Sequence, residues 1–102
     1  MSTQIPDRPS VVGLAWYDRK QWKRLTEVVE DRSELDATYE KWQQSALDAV
    51  RAIEEKGERV EQVHIEVASL LSWCQENRLP VNGKSRAGYV TQIMRRRHGQ
   101  AK

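Results

Sequence analysis

Between Arg59 and Asn77 the chain reads RVEQVHIEVASLLSWCQEN, and its apolar positions change period part-way along. Val63, Ile65 and Val67 alternate with polar residues, as on one face of a strand, whereas Val67, Leu70, Leu71 and Cys74 recur at helical spacing. The switch falls near Glu66 to Ala68 and marks a strand feeding a helix. Upstream, Val11 to Trp16 (VVGLAW) is a short apolar run that predicts a buried strand, weakened or bulged at Gly13, and pairing with Arg59 to Val67.

Helices fill the intervals. Asp18 is placed to cap the first, with Gln21 reaching back as in a capping box and Tyr17 and Trp22 at the two positions of a hydrophobic staple. Its stripe of Trp22, Leu25 and Val29 runs to about Glu30. Thr38 caps a longer helix to about Lys56, whose stripe is Tyr39, Trp42, Ala46, Ala49, Val50 and Ile53, and Gly57 ends it. Leu79-Pro80 forbids continuation of the third helix, Asn82-Gly83 turns the chain, and a last helix spans about Lys84 to Arg97. The expected fold is α+β: about four helices on a small two-stranded sheet, in the order β-α-α-β-α-α, with strand direction left open. Residues 1 to 10 are expected to be a flexible lead-in, 11 to 98 one domain, and 99 to 102 a disordered tail.

Composition and its distribution add four points. Phe is absent and Trp occurs four times, so the large core volumes fall to Trp16, Trp22, Trp42 and Trp73. Cys74 is the single cysteine, which excludes an intramolecular disulfide. With no signal-like or membrane-spanning run, a cytoplasmic location and no membrane partner are expected. Finally, the net charge of +2 conceals a separation of sign: residues 1 to 77 hold 10 Lys and Arg against 15 Asp and Glu, and residues 78 to 102 hold 7 basic residues and no acid.

The succession AWYDRKQW, ATYEKWQQSA, VHIEV, LLSWCQENRLP and SRAGYV resembles a group of short bacterial proteins uncharacterised in function, over nearly the whole chain from about Gly13. The resemblance implies a bacterial source and no particular activity, ligand or partner.

Candidate chemistry is sparse. Gly83-Lys84-Ser85 lacks the first glycine of a phosphate loop, since Arg78 stands five residues before Gly83, and a helix precedes it instead of a strand. One cysteine and two widely separated histidines offer no zinc pattern, and Cys74 completes an apolar stripe, the usual place of a packed thiol. His64 shares a strand face with Gln62 and Glu66 and is expected to face solvent or an interface. The acidic pairs around Glu54-Glu55 and Glu58-Glu61 read as solvated ends of elements. No catalytic, cofactor or metal constellation emerges, and a non-enzyme is expected.

What remains is the basic end. Lys84 and Arg86 near the start of the last helix, with Arg95, Arg96 and Arg97 at its end, are the candidate contacts to an anion or nucleic acid. The third helix, the LPVNG turn and the fourth helix outline a helix-turn-helix, although the connection is long. A two-stranded sheet leaves an open edge that a second copy of the chain can cover. The expected function is therefore a homodimeric, non-catalytic interaction or accessory protein with an unknown protein partner; weak nucleic-acid binding through the basic helix is the alternative.

Overall fold

A computed structural model describes residues 11–99. The elements are β1 (Val11–Trp16), α1 (Arg19–Val28), a 3-10 turn (Arg32–Glu34), α2 (Tyr39–Glu55), β2 (Arg59–His64), α3 (Val67–Glu76) and α4 (Gly83–Arg97). This is the expected α+β order. The lead-in at 1 to 10 and most of the tail at 99 to 102 lie outside the described residues.

β1 and β2 pair in parallel, with Val11 beside Arg59, Gly13 beside Glu61 and Trp16 beside His64. A parallel pair needs a long crossover, which residues 17 to 58 supply with two helices. Their capping is local and legible: the Asp18 carboxylate accepts from the Gln21 amide at 2.7 Å, and the Thr38 hydroxyl from the Lys41 amide at 3.1 Å. Gly57 takes φ of 89°, the left-handed conformation that stops α2.

One capping expectation is corrected. The Gln21 side chain does not return to the Asp18 backbone; its carbonyl accepts the Val67 amide at 2.8 Å. Glu66, the N-cap of α3, makes no side-chain cap of its own, so Gln21 supplies from another element what that helix start lacks. The first two βα turns are thereby tied together.

The sheet separates two helical layers, and β1 shows how. A Cβ on Gly13 would lie 2.7 Å from Met94 Cγ and 3.1 Å from Val90 Cγ1, so α4 crosses directly over that residue. Trp16, of opposite parity, points to the other face and meets the Trp42 ring of α2 edge-on at 5.4 Å. α3 packs beside α4, with Trp73 and Tyr89 rings 5.5 Å apart, while α1 touches both α2 and α3.

Leu25, Val63, Val67 and Leu70 are fully buried, and Cys74 sits among them at 2% exposure. Of the four tryptophans only Trp22 is fully buried; Trp16, Trp42 and Trp73 are half-buried against the core. α2 has no fully buried residue, because its stripe rests on a sheet only two strands wide. Trp42 is nonetheless the centre of an aromatic group, with the rings of Trp16, Tyr17, Trp22 and Tyr39 all within 5.5 Å.

Candidate interaction surface

β1 is composed of six apolar residues with no charge and no proline. Among the described residues it pairs with β2 on one side and with no strand on the other. The direction of its peptide groups follows from one bond: the Ile65 amide donates to the Trp16 carbonyl at 3.0 Å, so Trp16 faces the β2 side. Backbone polar groups alternate along a strand, which turns those of Val12 and Leu14 toward β2 and those of Gly13 and Ala15 outward.

The outer edge opens into a groove. Gly13, Leu14 and Ala15 all line one cavity of 390 Å³. Side chains of consecutive strand residues point to opposite faces, so three in a row share an opening only where it runs along the strand's edge. Val90 and Ala87 of α4 form one wall, and Leu35 and Trp42 the other. A second opening of 530 Å³ continues it toward Val11, between Gly13 and Val90, Met94, Arg95 and His98.

Two clusters hold the α4 wall in place. At its start, the Asn82 side chain accepts from the Ser85 amide and the Ser85 hydroxyl accepts from the Asn82 amide, both at 3.0 Å. The turn after α1 closes on the same point: Glu30 accepts from Asn82 Nδ2 at 3.0 Å, and Asp31 accepts from the Gly83 amide at 2.9 Å. Arg86 donates to both Asp31 oxygens at 2.9 and 3.3 Å, in an ion pair whose side chains are 14% and 18% exposed. That hydrogen bond is the main reason the Asp31 carboxyl lies below the usual carboxylate range. At the other end of α4, Glu61 of β2 receives Arg97 at 2.6 Å and His98 at 2.9 Å, and these bonds likewise hold its carboxyl low.

The five basic candidates are thus not assembled on one surface. Lys84 is exposed, Arg86 is paired with Asp31, Arg95 lines the groove, Arg96 is exposed and Arg97 is paired with Glu61. The anion position at the start of α4 is taken by the protein's own Asp31. The sequence reading missed this role of Glu30 and Asp31, and the 3-10 turn after them, because their partners lie more than fifty residues away; the acidic pair just beyond the stripe of α1 was the available signal.

A third, polar cavity of 440 Å³ lies at the carboxyl ends of the strands, bordered by Trp16, Asp18, His64, Glu66 and Ser69. Cys74 is not among its lining residues: the thiol is in the core, and His64 is exposed. Among the described residues no group of three or more His, Cys, Asp or Glu is placed to hold a metal ion, and no helix is long and apolar enough to cross a membrane.

Comparison with protein-family models, with curated proteins and with solved structures gives no match. The surface itself therefore carries the functional reading.

Proposed function

We propose that this protein is a non-catalytic interaction protein that works by strand pairing at the outer edge of β1, and that a second copy of the chain is the strand it pairs with. The observation that supports the reading is an outer edge of β1 with which, among the described residues, no third strand pairs. Natural edge strands are blunted by charge, proline, a bulge or a covering element, and β1 carries neither charge nor proline along its groove. β2 makes the contrast: it presents Arg59 and Glu61, with Gln62 and His64 exposed. Pairing at β1 satisfies the outward amides of Gly13 and Ala15 and covers the apolar groove at once.

The internal pairing of Arg86 and Arg97 favours this reading over nucleic-acid binding, since both are committed to carboxylates of the same chain. The test is Ala15→Pro. Proline removes one outward N–H and leaves the peptide groups facing β2 intact, as edge strands tolerate. Sedimentation equilibrium should give a dimer of twice 11.9 kDa for the wild type and a folded monomer for the variant. A wild type that stays monomeric up to about a millimolar, where even weak association registers, would overturn the proposal.

A further inference from the structure

The cavity beside Gly13, Leu14 and Ala15 reaches the core, where Tyr17, Trp22 and Leu25 also line it. Tyr17 separates it from a plain packing gap. The residue is 4% exposed, yet among the described residues its hydroxyl has no hydrogen-bond partner; the Tyr39 hydroxyl donates to the Tyr17 backbone carbonyl at 3.3 Å, not to the phenol. Among the described residues no enclosed side-chain oxygen or nitrogen is left unpartnered, so the phenol oxygen keeps access to open space, and the space beside Tyr17 is this cavity. Burial pushes the Tyr17 pKa up to about 12 against a smaller opposing effect of the Arg86 guanidinium, so at neutral pH the group is an O–H donor. A buried hydroxyl without a partner costs stability, and an acceptor brought into the cavity removes that cost.

The rest of the lining narrows the chemistry of such a ligand. Trp22, Leu25, Leu35, Trp42 and Val90 supply apolar walls, with the two indole rings stacked at 5.5 Å between centroids. Arg86 is the charged residue of the lining, and its guanidinium is already matched by both Asp31 oxygens. The Thr91 hydroxyl already donates to the Ala87 carbonyl. A charged ligand would lose its hydration for a site with no free opposite charge, whereas a neutral ring would not. The walls are also fixed in advance, α4 by Asp31 and the Asn82 capping box, and Trp42 by the rings around it. At 390 Å³ the volume falls within the range of small-molecule pockets, about 300–1,000 Å³, which combine apolar walls with a few placed polar groups.

We infer that this cavity binds a neutral, single-ring aromatic molecule bearing a carbonyl, with the ring against Trp22 and Trp42 and the carbonyl oxygen accepting from the Tyr17 hydroxyl. The inference goes beyond strand pairing at β1 and does not need it, since every residue of the site belongs to one chain.

Three probes with equal numbers of non-hydrogen atoms test it: acetophenone, isopropylbenzene, which lacks the acceptor, and benzoate, which adds a charge. Acetophenone titrated into the isotope-labelled chain should shift the indole N–H signals of Trp22 and Trp42 in two-dimensional NMR, with a Kd of about a millimolar or tighter. The signal of Trp73, which packs on Tyr89 outside the cavity, should stay in place. Tyr17→Phe removes only the hydroxyl, so it should keep or raise the thermal midpoint, weaken acetophenone about three- to tenfold and leave the effect of isopropylbenzene unchanged. Benzoate should bind at least about tenfold more weakly than acetophenone. No shift of Trp22 and Trp42 at about ten times that Kd would overturn the site. The inference also falls if Tyr17→Phe weakens both neutral probes alike or neither, or if benzoate binds more tightly than acetophenone. Sedimentation of the same samples reports assembly separately: a monomer that binds the probe keeps this inference and loses strand pairing, and a dimer that does not bind it does the reverse.

Discussion

Gly13→Ala is the smallest change that probes how the sheet is covered. The new methyl would stand 2.7 Å from Met94 Cγ, 2.9 Å from Met94 Sδ and 3.1 Å from Val90 Cγ1, where carbon atoms at rest keep about 3.5–4.0 Å. Val90 is β-branched on a helix and has essentially one rotamer, so it cannot turn aside. Met94 is pliant at its end, but its Cγ is set by the first side-chain torsion, which a helix restricts. α4 must therefore lift, and both of its ends are pinned, by Asp31 at the start and Glu61 at the finish. Overpacking of this kind costs about 1–3 kcal/mol, offset by about 0.5–1 kcal/mol from removing the glycine's freedom in the unfolded chain. The net expectation is a loss of about 0.5–2 kcal/mol in urea denaturation at a fixed low concentration. Met94→Ala should remove the obstacle, so that adding Gly13→Ala to it is neutral or slightly stabilising. Coupling of at least about 1 kcal/mol between the two sites is the signature. Additive effects, or a stabilising Gly13→Ala in the wild type, would show that α4 does not lie on Gly13.

Three further expectations concern other parts of the chain. The folded Asp31 carboxyl titrates below its unfolded value near 3.8, so its stabilisation is present above that pH and lost as pH falls through the lower folded value; Asp31→Asn should cost about 2–3 kcal/mol at neutral pH and flatten the acid limb of the stability curve. Arg78, which follows the C-cap of α3, holds φ of 56°, and Arg78→Gly should raise stability by about 0.5–1 kcal/mol in chemical denaturation; a loss would mean that its side chain matters more than its backbone. Labelled single-stranded and duplex oligonucleotides at about 50 mM salt should show flat anisotropy at micromolar protein, whereas a rise that falls steeply with salt and disappears in R95Q/R96Q/R97Q would establish nucleic-acid binding instead.

Much of the fold was legible because its signals are local. Asp18 and Thr38 cap where a short polar side chain precedes an apolar stripe, Gly57 stops a helix one residue past its last turn, and the period change at Glu66 lies between the end of β2 and the start of α3. The misreadings have a common physical origin. Gln21 satisfies the local rule of a capping box, yet it bonds Val67, because a buried amide at the start of α3 has no closer acceptor. Asn82-Gly83, read as a turn, is the N-cap and first residue of α4, with Ser85 completing the box. Arg86 and Arg97, read as candidate contacts to an anion or nucleic acid, are paired with Asp31 and Glu61 of the same chain. In each case a local signal was legible and its tertiary partner was not.

The same distinction separates the β1 edge from the basic helix. Sign separation along the sequence suggested an unbalanced basic surface, but folding brings α4 against acidic residues of the earlier part of the chain and pairs Arg86 with Asp31 and Arg97 with Glu61. Apolarity cannot be neutralised in that way. VVGLAW was read as a buried strand, and the structure buries both its faces only in part, while among the described residues no third strand pairs with its outer edge. A parallel pair at the centre of two helical layers uses the apolar side chains of β1 for packing and has no residue of β1 left over to guard the edge. Among the described residues no third strand pairs with that edge, and the proposed strand pairing rests on it and on the apolar groove alongside.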